Sequence, residues 1–295
     1  MRIHQTTAKY TDELSCISWS DPREGENVLI IGERINATRK RIGEAVTRRD
    51  TEFIKEEARK QVEAGAHMLD VNGGIAGQEA ENLAWLVNTV QEVVQVPLCL
   101  DSADAEALRQ ALPLCRQPPM INSITDEPER FRAVLPLVKK HDTKVIALCL
   151  SAAAPPQGLE DRVTTAVSLV ERLTAEGVPP ENIYVDPCVF PIGTGSQHGP
   201  AVLDAISRIR AQCPGVHTSC GVSNVSYGMP VRKLLNEVFL LMLLGRGMDA
   251  AIIDPCDAGL MARVLAAEAL GGRDTHCKAY LQAYRNGKLE PPQPQ

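Results

Sequence analysis

The chain has 295 residues, of which 44% are apolar and 23% are charged, and its formal net charge is −6. This composition is typical of a globular protein with one substantial domain. The acidic balance argues against a general nucleic-acid binder, whose binding face would be basic. No apolar stretch reaches the roughly 18 residues that span a bilayer, so no transmembrane helix is predicted.

Short apolar runs alternate with helix-length segments along almost the whole chain, and each run ends abruptly in a small polar or acidic residue. The predicted strands occupy residues 28–31, 67–69, 97–100, 120–121, 145–150, 183–185, 216–222 and 250–253. The predicted helices occupy residues 51–64, 79–94, 103–114, 127–140, 159–176, 200–212, 232–244 and 258–270. Eight strand–helix units close a parallel sheet, so the pattern predicts an α/β protein with a single (β/α)8 TIM barrel.

The segments outside this alternation set the expected domain limits. Residues 1–26 lack periodicity and are predicted to form an N-terminal extension, followed by a barrel over residues 27–272. Residues 273–295 form a C-terminal tail with a short helical segment before a proline-rich end. The chain begins without an apolar signal core, so we expect a cytoplasmic protein.

Carboxylates and carboxamides follow most of the predicted strands. The acids are Asp70, Asp101, Asp186 and Asp254, and the amides are Asn72, Asn122 and Asn224. Barrels of this kind carry their active sites at the carboxyl ends of the strands, so we expect these side chains to converge. Alternatively each caps the following helix, since Asp and Asn are preferred N-caps. Capping is less suited to Asp186 and Asn224, whose helices begin well beyond them.

A cluster of carboxylates and amides is suited to binding a polar heterocycle. A carboxylate accepts two parallel N–H donors, as an amino-pyrimidinone presents, and an amide both donates and accepts. A metal site is not expected, because no two of the nine cysteines are separated by only two residues, whereas zinc ligands usually come in tight pairs. We predict that Cys99, Cys149 and Cys220 are buried apolar thiols within strands.

Six of the strand-end segments resemble the pterin-binding methyltransferase family. They are residues 30–36 (IIGERIN), 69–74 (LDVNGG), 98–102 (LCLDS), 120–123 (MINS), 184–187 (YVDP) and 221–226 (GVSNVS). This family contains the methyltetrahydrofolate:corrinoid protein methyltransferases and the folate module of cobalamin-dependent methionine synthase. Each motif is weak alone, but six occur in order across residues 27–270.

The resemblance implies roles for particular residues. Asp101, Asn122 and Asp186 match the residues that hold the pterin ring, and Asn224 matches the catalytic asparagine that reaches N5. The full substrate-binding set that it implies is Asp70, Asn72, Asp101, Asn122, Asp186, Gly221, Ser223, Asn224, Arg232 and Asp254. Tyr227 departs from the family pattern, since some relatives carry a polar amide at that position.

The activity implied by the resemblance is transfer of a methyl group between N5 of methyltetrahydrofolate and the Co(I) of a corrinoid. The corrinoid is expected on a separate partner protein, because no corrinoid-binding domain follows the barrel. The resemblance also implies that the protein is a homodimer. One alternative is dihydropteroate synthase, which needs a diphosphate loop after strand one and a Ser-Arg-Lys-type motif after strand seven. Another is a non-catalytic folate-binding subunit.

A run of basic residues follows the first strand. It contains Arg34, Arg39, Lys40, Arg41, Arg48 and Arg49. The simplest interpretation is a solvated charged surface. The alternatives are contact with the glutamate tail of a folate or with an acidic partner protein.

Overall fold

The computed structural model describes residues 27–75, 77–151 and 155–289. Eight parallel strands form a closed barrel in the order β1 to β8, with β1 paired to β8, which confirms the predicted architecture. The strands are β1 Leu29–Asn36, β2 Met68–Asn72, β3 Leu98–Asp101, β4 Met120–Ile124, β5 Lys144–Leu148, β6 Ile183–Asp186, β7 His217–Gly221 and β8 Ala250–Ile253. The extension predicted at residues 1–26 lies outside the described residues.

The helices surround the sheet. They are α1 Lys40–Arg48, α2 Thr51–Glu63, α3 Glu79–Gln91, α4 Ala105–Ala111, α5 Pro128–His141, α6 Leu159–Ala175, α7 His198–Gln212, α8 Arg232–Gly245, α9 Ala258–Leu270 and α10 Lys278–Arg285. Helix α1 was not predicted, because its basic residues hide a short apolar face formed by Ile42, Ala45 and Val46. None of the helices within the described ranges is long and apolar enough to cross a membrane.

Strand β1 is longer than predicted. Its apolar run ends at Ile31, but pairing with β2 continues through Ile35 and Asn36, with an irregularity in register after Gly32. A side chain at Gly32 would not fit, because a Cβ there would lie 2.5 Å from the side-chain oxygen of Gln61 on α2. Because this pairing continues to Asn36, the polar residues that follow Gly32 belong to the strand itself rather than to a loop.

Apolar side chains fill the barrel interior in a single cluster. It contains Ile31, Met68, Cys99, Met120, Ile146, Tyr184, Ala250 and Ile252. Two larger clusters pack between the outer face of the sheet and the helices. As predicted, Cys99, Cys149 and Cys220 are fully buried, although Cys149 lies just beyond the end of β5.

Candidate active site

The polar residues at the strand ends follow from the two-residue periodicity of the strands. Successive side chains point to opposite faces, so a residue two positions after an interior residue also points into the barrel. Counting two positions from interior residues gives a set toward the carboxyl end of the barrel, and we call its polar members the mouth ring. Its members are Glu33, Asp70, Asp101, Asn122, Asp186 and Asp254.

Helix capping does not explain the mouth ring. The side chain of Asp104, not Asp101, caps α4 by accepting from the backbone N–H of Glu106 at 2.9 Å. Likewise Asp257, not Asp254, caps α9 by accepting from the backbone N–H of Leu260 at 3.2 Å. The capping interpretation is therefore wrong for Asp101 and Asp254.

Four predicted site residues on β2, β3 and β4 form two hydrogen-bonded pairs. The Nδ2 of Asn72 donates to Oδ2 of Asp101 at 2.9 Å, and the Nδ2 of Asn122 donates to Oδ1 of Asp70 at 3.2 Å. Each amide therefore has its nitrogen committed to a carboxylate. The carbonyl oxygen of Asn72 accepts from the backbone N–H of Gly74 at 2.9 Å, which fixes this side chain from both ends.

The pKa values of the two carboxyl groups of this cluster are raised above their usual range. Burial raises the pKa of Asp70 well above its usual value, and the nearby charge of Asp101 raises it further. Burial also raises the pKa of Asp101, although the hydrogen bond from Asn72 partly offsets the effect. Carboxyl groups with such environments concentrate at functional sites, because folding alone gives no reason to bury them.

Asp186 lies at the end of β6 and is only 8% exposed. Its Oδ1 accepts from the backbone N–H of Cys188 at 2.8 Å, so the carboxylate is anchored at the start of the following loop. Burial raises the pKa of Asp186 to about 6, while the backbone amides of Cys188 and Gly221 act in the opposite direction. The group therefore changes its charge near neutral pH.

The predicted catalytic residue, Asn224, lies in a short 3-10 turn, Val222–Ser226, directly after β7. Its side chain is exposed at the carboxyl end of the barrel. Gly221 permits the close approach of this side chain, since a Cβ at Gly221 would lie 3.1 Å from Nδ2 of Asn224.

Arg232, the first residue of α8, holds the turn that carries Asn224. Its Nη2 donates to the carbonyl oxygen of Ser223 at 2.8 Å, and its Nε donates to the hydroxyl of Ser226 at 3.0 Å. The guanidinium also lies 5.9 Å from the ring centre of Tyr227, which is 70% exposed. In this structure Arg232 therefore contributes to the site by fixing the shape of the β7–α8 loop.

Asp254 is engaged in an ion pair. Nη1 of Arg34 lies 2.9 Å from Oδ2 of Asp254, and Nη2 of Arg34 lies 2.7 Å from Glu57 on α2. The backbone N–H of Cys256 donates to the other oxygen of Asp254 at 3.0 Å. The prediction of a freely solvated basic run is thus wrong for Arg34, whose charge ties β1 to β8 and α2.

Glu33 belongs to the mouth ring but was missed, because the predicted first strand ended before it. Its Oε2 accepts from the hydroxyl of Ser223 at 3.2 Å, and its Oε1 pairs with Nη2 of Arg39 at 2.7 Å. Glu33, Ser223 and Arg232 line a cavity of about 280 Å³ that opens beside β1, β7 and β8.

Residues 32–254 match the model of a family described as pterin binding enzyme. The chain belongs to this family. Among relatives of this pterin-binding protein, the methylcorrinoid:tetrahydrofolate methyltransferase of Eubacterium limosum is 36% identical over 269 residues, which cover 90% of this chain and 99% of the relative. Methionine synthase of Mycobacterium leprae is 32% identical over 241 residues, which cover 77% of this chain but only 20% of the synthase.

Solved structures of the pterin-binding fold also resemble this chain. Dihydropteroate synthase from Xanthomonas albilineans, in complex with 7,8-dihydropteroate, aligns with a TM-score of 0.66 over 83% of this chain and 94% of the synthase. The sequence identity is 16%, so the likeness establishes the shared barrel alone.

Proposed function

We propose that this pterin-binding protein is a methyltransferase that moves a methyl group between N5 of tetrahydrofolate and the cobalt of a corrinoid carried by a separate protein. The single observation that carries the proposal is the match with the Eubacterium limosum enzyme. That enzyme's name specifies methylcorrinoid and tetrahydrofolate, and 99% of its length is covered. The same name supports transfer from the corrinoid to folate as the physiological direction.

The β2–β4 cluster and Asp186 are suited to the pterin ring. Because Nδ2 of Asn122 donates to Asp70, the amide oxygen of Asn122 points away from Asp70 and can accept a hydrogen bond from a ligand. Because Oδ2 of Asp101 accepts from Asn72, the other oxygen, Oδ1, is the acceptor that β3 offers to the same ligand. The amino group and ring N–H of a pterin are donors, so an array of fixed acceptors favours this ring over heterocycles that present acceptors there.

The chain's own part in methyl transfer centres on N5. When the methyl group leaves N5 for Co(I), the electron pair of the C–N bond stays on nitrogen, which must gain a proton. In the opposite direction N5 attacks the methyl group on cobalt and loses its proton. Asn224 is exposed at the mouth and has a carboxamide that both donates and accepts. We assign it to the hydrogen bond that strengthens as charge develops on N5.

The remaining predicted residues support these groups. Gly221 gives Asn224 room, Ser223 and Arg232 fix the loop, and Asp254 anchors Arg34 at the closure of the barrel. Ser223, Arg232 and Asp254 all line the cavity, and Ser223, the chain neighbour of Asn224, is the one that we expect to contact the substrate directly.

We further propose that the protein is a homodimer formed through α8. This helix buries one apolar face in the barrel but also exposes Leu234, Val238, Leu241 and Met242, which follow each other at helical spacing. A helix that is apolar on both faces is normally covered on both. A second copy of this chain provides an identical apolar face about a twofold axis.

The dimer proposal is tested by sedimentation velocity. Val238→Glu with Leu241→Glu should convert a dimer into monomers, because the new charges would be buried against each other. Leu281→Glu on α10, where the side chain is 46% exposed, is the matched control and should leave the dimer intact. A monomeric wild-type protein would remove the proposal.

The cysteines support a reducing compartment. The structure describes eight cysteines and all are free thiols, as is usual in cytoplasmic proteins. We therefore propose the cytoplasm as the location, which fractionation with an antibody would test.

The proposed activity is tested with purified protein, methyltetrahydrofolate and reduced cobalamin. Methyl transfer converts cob(I)alamin to methylcobalamin, and the visible spectrum reports the change directly. Catalysed conversion supports the methyltransferase. Tight folate binding without conversion would instead indicate a non-catalytic folate-binding subunit, and condensation of p-aminobenzoate with a pterin diphosphate would indicate a dihydropteroate synthase.

A further inference from the structure

Glu33 connects the mouth ring to the loop that carries the proposed catalytic residue. Its carboxylate lies 3.2 Å from the hydroxyl of Ser223, and Ser223 is the immediate neighbour of Asn224. The carboxylate side chain is only 14% exposed, yet it lines the open cavity together with Ser223. Glu33 is thus enclosed by protein on one side and accessible from the mouth on the other.

The proposed reaction requires a proton that Asn224 cannot supply. A carboxamide donates a hydrogen bond but does not transfer a proton near neutral pH, so N5 must exchange its proton with another group. A serine hydroxyl donates and accepts at once, and therefore passes a proton between two neighbours. Glu33 and Ser223 together form such a route from a titratable group to the turn that carries Asn224.

The other carboxylates of the mouth ring are committed elsewhere. Asp70 and Asp101 bind amide nitrogens, and Asp186 is anchored by backbone N–H groups. Asp254 is held by Arg34. In the described part of the chain, Glu33 is the mouth-ring carboxylate that accepts a hydrogen bond from a side chain of the turn Val222–Ser226, which carries Asn224.

We propose that Glu33 is a positioning residue for proton exchange, which acts through the hydroxyl of Ser223 to deliver a proton to N5 as the methyl group leaves. The inference rests on the proposed methyltransferase function. In the step from folate to cobalt, the carboxyl proton of Glu33 moves to Ser223 as the hydroxyl proton of Ser223 moves to N5. The nitrogen keeps the electron pair of the broken C–N bond, and Glu33 is left ionised. The reverse transfer runs the same route backwards.

The surroundings of Glu33 raise the pKa of its carboxyl group above the ordinary value. Burial raises its pKa, the cation of Arg39 and the hydrogen bond from Ser223 lower it, and the charge of Asp254 raises it. Further charged residues line the same cavity, namely Arg232 and Lys233 on α8 and Asp257 at the N-cap of α9. Asp70 on β2 is not part of the lining, but the charge of Glu33 raises its pKa.

The test is single-turnover transfer from methyltetrahydrofolate to free cob(I)alamin, measured as a function of pH. Transfer in this direction needs the acid form of Glu33, so the wild-type rate should fall as pH rises through the pKa of this group. Glu33→Gln keeps the size and an acceptor for Ser223 but holds no transferable proton. Its rate should fall about 100-fold at low pH and lose this pH dependence, while the Kd for tetrahydrofolate stays constant.

Two further variants make the test specific. Arg39→Gln leaves the carboxyl in place but removes the cation that lowers its pKa, so the fall in rate should move to higher pH. This shift would remain measurable even if Glu33→Gln failed to fold. Glu44→Gln, on the exposed side of α1, is the matched control and should behave as wild type.

Two outcomes separate this inference from the function on which it rests. A wild-type protein without methyl transfer would overturn both. A wild-type protein that transfers methyl groups, with a pH profile unchanged in Glu33→Gln and Arg39→Gln, would overturn the role of Glu33 and leave the methyltransferase standing.

Discussion

The side-chain Nδ2 of Asn122 on β4 donates a hydrogen bond to Oδ1 of Asp70 on β2 at 3.2 Å, although strand β3 lies between the two strands. This contact decides the orientation of an amide whose two ends would otherwise be interchangeable. Its nitrogen is held by a buried carboxyl group, so its oxygen is the group left to meet a ligand. The specificity of the proposed pterin site thus depends on Asp70, which has no need to touch the ligand itself.

Replacing Asp70 should therefore weaken folate binding through Asn122. Asp70→Leu removes the acceptor, so Nδ2 of Asn122 loses its partner and the amide is free to turn. An unpaired buried polar group costs about 1–3 kcal/mol, which corresponds to a roughly 5- to 150-fold loss of affinity. Asp70→Asn is the matched control, since it retains an accepting oxygen and should lose much less. Calorimetry with tetrahydrofolate measures both, and equal affinities in the two variants would refute the orienting role.

The mouth ring shows how far the sequence predicts the site. Asp70, Asp101, Asn122 and Asp186 were predicted because each directly ends an apolar run. In the structure Asp101 and Asp186 are the last residues of β3 and β6, whereas β2 and β4 continue for two residues beyond Asp70 and Asn122. Glu33 follows the same rule two positions after Ile31. It was missed because the prediction ended β1 where its apolar residues end, whereas hydrogen bonding to β2 carries the strand on to Asn36.

The partners of the charged side chains could not be predicted from the sequence. Arg34 was assigned to a solvated basic run, yet it reaches Glu57 on α2 and Asp254 after β8. These three residues meet only because closure of the barrel brings β8 beside β1. Arg232 likewise contacts backbone oxygen and hydroxyl groups whose positions depend on the exact path of a loop, which no residue pattern specifies.

The elevated pKa of Asp186 predicts a pH limit for folate binding. The ionised carboxylate accepts two N–H donors, whereas the protonated acid accepts poorly and presents a donor of its own. With a pKa of about 6, Asp186 becomes protonated as the pH falls below that value. Affinity for tetrahydrofolate should therefore decline below about pH 6 by up to tenfold per pH unit. Asp186→Asn should bind weakly at all pH values. An affinity in wild type that stays constant down to pH 4 would remove Asp186 from the site.

The raised pKa of Asp186 also predicts that the free energy of unfolding decreases as the pH rises, whereas folate binding is expected to improve. A carboxyl whose folded pKa is raised from 3.8 to about 6 favours the folded state below pH 4, and this contribution is lost as the pH rises through 6. The loss amounts to roughly 3 kcal/mol, since each pKa unit corresponds to about 1.4 kcal/mol. Asp186→Asn has no carboxyl to ionise and so avoids this loss. The difference in melting temperature between the variant and wild type should therefore be more favourable to the variant at pH 8 than at pH 4. A stability difference that does not vary with pH would contradict this assignment.

Asn224→Ala should separate catalysis from binding. Because its hydrogen bond is proposed to strengthen as N5 gains charge, the variant should lose about 100-fold in the rate of methyl transfer. Binding of unmethylated tetrahydrofolate should change far less, since the side chain is exposed and the pterin ring is held elsewhere. Single-turnover rates and calorimetry with one preparation measure the two effects. Equal losses in rate and affinity would make Asn224 a uniform binding residue instead.

The exposed basic residues of α1 predict how the corrinoid protein docks. Arg39 is paired with Glu33, so Lys40 and Arg41 carry the more available charge on this side of the mouth. Long-range attraction accelerates the encounter of charged partners, and salt screens it as the Debye length falls to about 3 Å at 1 M. Lys40→Glu with Arg41→Glu should therefore slow transfer involving a protein-bound corrinoid at low salt, with an effect that fades at high salt.

The control for this prediction is a change of equal charge at the opposite end of the barrel. Lys139→Glu with Lys140→Glu alters the last turn of α5, which lies at the amino ends of the strands, away from the mouth. This pair should leave transfer unchanged apart from a small loss of the exposed ion pair between Lys139 and Glu176. Transfer to free cob(I)alamin should be unaffected in both double variants, because no protein docks. If the α1 variant slows both acceptors equally, its basic residues serve the folate tail or the fold, and partner docking lies elsewhere.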